Sequence, residues 1–127
     1  MYLSRLHLEE FRNYRTLELN LDPIGLRLIG QNGSGKTSLL ESIVMLATTR
    51  SPRASTDREL VEWESGEIYG VAPYARIEAT VTSVERTHEL AVTIELDREG
   101  GGVAKKGFIL DGKPVRAHDL IGVIKFV

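Results

Sequence analysis

The chain has no cysteine, which excludes a disulfide framework and any metal site built on thiolates. Histidine is scarce as well. His7, His88 and His118 stand far apart and show no ligand spacing, so solvated or hydrogen-bonded histidines are expected rather than a metal site. No apolar run approaches the roughly 20 residues that a membrane-spanning helix needs. Arg5, Glu9, Glu10 and Arg12 break up the first apolar stretch, so the opening does not read as a secretory segment. A strong charge excess is also missing: the net charge is −2, and no global basic field announces a polyanionic partner. What remains is one domain, or part of one, of 127 residues with a hydrophobic fraction of 42%. That fraction is ordinary for a packed core, and a cytoplasmic protein fits these absences.

Against this plain background one segment stands out. Gly30-Gln31-Asn32-Gly33-Ser34-Gly35-Lys36-Thr37 spells the phosphate-binding loop pattern G-x-x-x-x-G-K-[ST]. A short apolar run, Leu26-Arg27-Leu28-Ile29, precedes it, and a helical pattern from Ser38 to Ala47 follows. Strand, glycine loop and helix form the context in which this loop works. Gly30, Gly33 and Gly35 permit backbone angles and a close phosphate approach that a Cβ would block. The loop amides and the positive end of the helix face one place, which suits a polyphosphate. Lys36 supplies a point charge near the β- and γ-phosphates, and the Thr37 hydroxyl is a ligand for Mg²⁺. ATP with Mg²⁺ is the expected occupant; the plain alternative is a Gly/Ser turn with a lysine at a helix start.

Charge is unevenly distributed. Residues 1–58 hold eight Lys/Arg against six Asp/Glu, a net of +2, whereas residues 59–127 hold eight against twelve, a net of −4. Arg50, Arg53 and Arg58 cluster after the loop-bearing helix. Contact with DNA phosphates and an ordinary solvated loop are both open readings of that cluster.

Periodicity supplies the other elements. Residues 2–11 give an irregular strand pattern with Leu3, Leu6, Leu8 and Phe11, and Leu17, Leu19 and Leu21 alternate as a half-buried strand does. The helix after the loop carries Leu39, Leu40, Ile43, Val44, Leu46 and Ala47, a stripe wide enough to pack on a sheet. Residues 57–63 are expected to form a short helix with Leu60, Val61 and Trp63 turned inward. From about residue 74 the period becomes two, with Ile77, Ala79 and Val81 on one strand and Leu90, Val92, Ile94 and Leu96 on the next. Glu99-Gly100-Gly101-Gly102 reads as a connector. Phe108-Ile109-Leu110, Asp111-Gly112 and Lys113-Pro114-Val115 read as a hairpin with a tight turn. Residues 117–123 are expected to be a short helix, and residues 124–127 the start of a further core strand, which points to an N-terminal fragment. The chain thus divides into a P-loop unit over residues 1–63 and an antiparallel layer over residues 64–127.

Phe11-Arg12-Asn13-Tyr14 ahead of a Leu-rich strand, then the Gly30 to Glu41 segment, resembles the N-terminal lobe of the ABC-type DNA-repair ATPases, the RecF and SMC group. Leu46-Ala47-Thr48-Thr49-Arg50-Ser51, Asp57-Arg58-Glu59-Leu60-Val61 and the Asp111-Gly112 hairpin resemble RecF in particular. The resemblance implies an α/β fold of P-loop NTPase type: an ABC-type ATPase lobe with a mixed central sheet and an antiparallel β layer. It implies that Gly30, Gln31, Asn32, Gly33, Ser34, Gly35, Lys36, Thr37 and Ser38 hold ATP, with Asn32 near the γ-phosphate and Thr37 on Mg²⁺. It places Arg12 and Asn13 near the base or ribose, a polar strand-end turn being the alternative. It further implies DNA repair and replication at single-strand gaps, in the context of DNA damage and the SOS response. The implied partners are DNA, mediators of the RecR and RecO type, and a second copy in an ATP-dependent homodimer, with no membrane.

The sequence departs from the family pattern by omission. No apolar strand ends in an Asp-Glu or Asp-Asp pair, and no signature motif or switch histidine is evident. Phosphoryl transfer needs a positioned water, so this chain is expected to bind ATP but barely hydrolyse it, with no catalytic residue of its own. Two other readings stand beside a repair ATPase: an ABC transporter ATPase subunit, and a non-catalytic, nucleotide-gated module for DNA binding or dimerisation.

Overall fold

The computed structural model describes residues 2–12, 14–21, 34–51, 57–62, 73–96 and 103–124. Six strands form one sheet in the order β2-β1-β3-β4-β5-β6. They are β1 (Tyr2–Phe11), β2 (Tyr14–Asn20), β3 (Tyr74–Thr82), β4 (Thr87–Leu96), β5 (Val103–Leu110) and β6 (Lys113–Val115). Every pairing among the described residues is antiparallel. The expected feeder strand at residues 26–29 and the start of a core strand at residues 124–127 lie outside the described residues, Ile124 excepted. β1 pairs with β3, so the sheet runs straight across the expected division at residues 63 and 64.

The irregular spacing in β1 has a physical cause. The register with β3 slips between Leu3 and Arg5, so an extra residue, Ser4, is accommodated in a bulge. Its hydroxyl bonds Thr80 O at 3.1 Å and Thr82 Oγ1 at 3.0 Å. The bulge restores Leu3 to the face of Leu6 and Leu8, although the spacing from Leu3 to Leu6 is odd. That face continues through Ile77 and Ala79 on β3 and Leu90, Val92 and Ile94 on β4, all buried. The opposite face carries Arg5, His7, Glu9, Arg76, Glu78 and Glu89 and is polar.

Helix α1 (Ser34–Thr48) packs on the apolar face over β3 and β4. Its buried positions are Ser38, Leu39, Glu41, Ser42, Met45, Leu46 and Ala47, a face set by the 3.6-residue period. Leu40, expected in the stripe, is 49% exposed, and Met45 is fully buried. Leu39, Leu46 and Ala47 are buried as the stripe predicts, and Leu40 falls outside the packed face because Ser38, Glu41 and Ser42 occupy part of it. Thr49 follows the helix at φ 67° and its N–H donates to Met45 O at 2.7 Å. A left-handed closing residue is the usual helix stop, here without the usual glycine.

The expected helix over residues 57–63 is a 3₁₀ turn at Asp57–Leu60, after which Val61 bridges Phe11. Leu60 and Val61 are buried as expected; Trp63 and the connector at residues 99–102 lie outside the described residues. The hairpin turn forms as read, with Asp111 at φ 51° and Gly112 at φ 82°, angles that a tight two-residue turn requires. The last helix, α2 (Ala117–Leu120), is shorter than expected. It buries Leu120 and gives way to a turn in which Gly122 takes φ 94°.

Candidate nucleotide site

Ser34, Gly35, Lys36 and Thr37 form the first turn of α1. Ser38 follows with 4% exposure. Gly30, Gln31, Asn32, Gly33 and Asn13 lie outside the described residues. No acidic residue stands in the first turn of α1, so nothing there opposes the positive helix end that favours an anion.

Arg12 sits where β1 turns into β2. Phe11 and Tyr14 pair across a two-residue connection, and Arg12 takes φ 54°, a left-handed conformation that costs a non-glycine residue about 1–2 kcal/mol. Surrounding bonds hold it there. Its N–H donates to Leu60 O at 2.7 Å, and Glu62 N–H donates to Glu10 O at 2.8 Å, flanking the Phe11 to Val61 bridge. Phe11 is fully buried beneath, a burial that contributes about 1.5–3 kcal/mol.

The Arg12 side chain reaches α1. Nε donates to Glu41 Oε1 and Nη2 to Glu41 Oε2, both at 2.9 Å, a two-bond fork that only a guanidinium makes. Ser51 Oγ also donates to Glu41 Oε2. The Glu41 side chain is 1% exposed and that of Arg12 22%. The hydrogen bonds to Glu41 raise the Arg12 pKa above its ordinary value, against the lowering effect of burial. Arg12 is thus tied to α1 through Glu41, a partner that the sequence reading did not single out. The available signal was a carboxylate at helical spacing among buried positions. Of the arginine cluster, Arg50 is exposed, Arg53 lies outside the described residues, and Arg58 lies on the 3₁₀ turn.

A second set of charges occupies the outer face. Arg5 Nε meets Glu18 Oε1 at 2.8 Å and Arg5 Nη1 meets Glu78 Oε2 at 3.6 Å, while Arg76 pairs with Glu78. Arg5, Arg76 and Glu78, with Thr80 and Glu89, border a cavity of about 130 Å³. It opens on the side of the sheet away from α1.

Residues 2–126 match the model of the RecF/RecN/SMC N terminal domain. The chain belongs to that family. Over its whole length it is 44% identical to the DNA replication and repair protein RecF of Thermomicrobium roseum, of which it covers 32%. It is likewise 44% identical to RecF of Chloroflexus aggregans, covering 33%. The chain therefore spans about a third of the length of the curated relatives it matches. Among solved structures, a RecF–ATP structure from the RecFOR pathway superposes with a TM-score of 0.77 at 25% identity, over 98% of this chain and 31% of that one. The SMC head domain from Thermotoga maritima shares the fold with a TM-score of 0.66 at 21% identity, over 94% of this chain and 41% of that one. The RecF/RecN/SMC fold is that of an ABC-type P-loop ATPase head. Among the described residues, no helix is long and apolar enough to cross a membrane.

Proposed function

We propose that this chain is the ATP-binding lobe of a RecF-like protein that engages gapped DNA in an ATP-dependent way during recombinational repair and replication. The observation that carries the reading is the phosphate-loop pattern Gly30 to Thr37 running into a helix that begins at Ser34, in a chain of this family. The donor set suits the group: consecutive main-chain amides, an ammonium at Lys36 and a hydroxyl at Thr37, with no acid in the first helical turn. In this reading Gly30, Gln31, Asn32, Gly33, Ser34, Gly35 and Ser38 wrap the phosphates. Thr37 takes Mg²⁺, and Arg12 and Asn13 stand by the base or ribose. DNA, RecR- and RecO-type mediators and an ATP-dependent homodimer are the partners, in the cytoplasm.

A second reading is favoured by the lack, in this sequence, of an Asp-Glu or Asp-Asp pair at the end of an apolar strand. Taken alone, the chain is a nucleotide-gated module that binds ATP with little turnover. Calorimetry with Mg-ATP tests the shared core of both readings. Lys36→Ala is expected to abolish measurable triphosphate binding while the circular dichroism of the fold is retained; unchanged affinity contradicts the assignment. Binding of gap-bearing DNA with and without ATP tests the rest: enhancement by ATP is expected, and its absence at every salt concentration overturns the DNA reading.

A further inference from the structure

Glu41 lies on the buried face of α1 with 2% exposure. A carboxylate taken out of water persists only when paired and hydrogen-bonded, and well-packed apolar groups in place of a buried ion pair are often no less stable. Packing alone therefore gives no reason for a glutamate here. Its bonds do. Three separate segments meet on this carboxylate: Arg12 from the end of β1, α1 itself, and Ser51 from the stretch after the helix. Ser51 shares Oε2 with Arg12 Nη2 and so restrains the rotation of the carboxylate.

The Arg12 guanidinium is in turn over-determined. Its main chain is fixed at φ 54° and tied to Leu60, and its Nε and Nη2 both face Glu41. Because the guanidinium is planar, this fork directs the Nη1 edge away from the carboxylate. Position 41 is one turn, about 6 Å, beyond position 37 along the helix. Glu41 is the midpoint of α1 (Ser34–Thr48), and because helical side chains lean toward the N-terminus, a cation anchored on it lies between the middle of the helix and its first turn.

We propose that Glu41 is a positioning residue for nucleotide: its carboxylate, steadied by Ser51, locks the Arg12 guanidinium so that its free edge donates to an oxygen of a nucleoside triphosphate seated at the start of α1. The inference rests on the ATP-binding reading above and adds to it a residue that acts through Arg12.

The test is a double-substitution cycle in the 127-residue chain, read by Mg-ATP calorimetry alongside thermal unfolding. Glu41→Gln is expected to weaken Mg-ATP binding about tenfold, Arg12→Ala about tenfold, and the two together no more than either alone, because they remove one device. Independent losses that multiply to about a hundredfold overturn the proposal. So does a Glu41→Gln chain whose Tm falls while its affinity stays put, which is what a purely structural role gives. Should Glu41→Gln fail to fold, Arg12→Lys carries the test, since an ammonium keeps the charge near Glu41 but cannot make the fork. A roughly tenfold loss supports the proposal, and full affinity overturns it. If the unsubstituted chain, folded, gives no heat with Mg-ATP, the ATP reading falls and takes this inference with it. If it binds and Glu41→Gln binds equally well, only the inference falls.

Discussion

Arg5 and Arg12 leave the same end of the chain, one from within β1 and one just past it. Each sets Nε against a glutamate Oε1, at 2.8 Å to Glu18 and 2.9 Å to Glu41. Their surroundings differ. Side-chain exposure is 35% and 48% for Arg5 and Glu18, but 22% and 1% for Arg12 and Glu41. The outer pair shares its charge with water, Glu78 and Arg76 and can be rearranged cheaply. The inner pair has lost most of its hydration, so each ion depends on the other. Near-equal distances thus describe two different interactions, and burial decides which of them can fix a geometry.

Removing one partner breaks the comparison most sharply. Glu41→Ala leaves the partly buried Arg12 charge without its hydrogen-bonded partner, with only the longer-range attraction of Glu59 remaining, and is expected to cost about 3–5 kcal/mol in urea unfolding; a loss below about 1 kcal/mol would mean the pair is solvated after all. Replacing both inner ions by apolar groups, Arg12→Met with Glu41→Leu, is expected to return stability to within about 1 kcal/mol of the parent while Mg-ATP affinity stays low. Full recovery of binding in that variant would show that the pair serves stability alone.

Asp111 is an intermediate case. Its carboxylate accepts the Glu89 N–H at 2.9 Å and faces His88 Nδ1 at 2.8 Å. The main-chain bond first, and then His88, lower its pKa below the ordinary 3.8. A carboxyl depressed in the folded state contributes stability that is present above its unfolded value and lost as pH falls through the folded one. Asp111→Asn is therefore expected to lower Tm by on the order of a few degrees at pH 7. The gap from the parent should close as pH drops below about 3.8; a gap that persists in acid would assign the effect to the turn rather than the charge. The smallest effect belongs to Glu18→Ala. Its modest Tm change should vanish in 1 M salt, where the screening length is only about 3 Å, whereas that of Glu41→Ala should remain.

Much of this molecule was legible before folding, for identifiable reasons. The helical pattern that became α1 is local, and so is the strict alternation of Ile77, Ala79 and Val81 that became β3. The Asp111-Gly112 turn carries its own angles. What could not be read was non-local. Arg12 and Glu41 are 29 residues apart, and a glutamate in a helical stretch looks like any solvated helix former. The Ser4 bulge exists only against β3, so the odd Leu3 to Leu6 spacing looked like noise. Likewise the apolar count in α1 pointed at Leu40 because the packed face is partly polar.

The place of β1 in the sheet also bears on how the chain is made. β1 lies between β2 and β3. Its hairpin with β2 is complete once Asn20 has been added, yet its other flank closes only after Thr82. At ordinary rates of protein synthesis, about sixty further residues take roughly 3–12 s. During that interval the nascent hairpin presents a bare strand edge, the kind of surface on which wrong pairing begins.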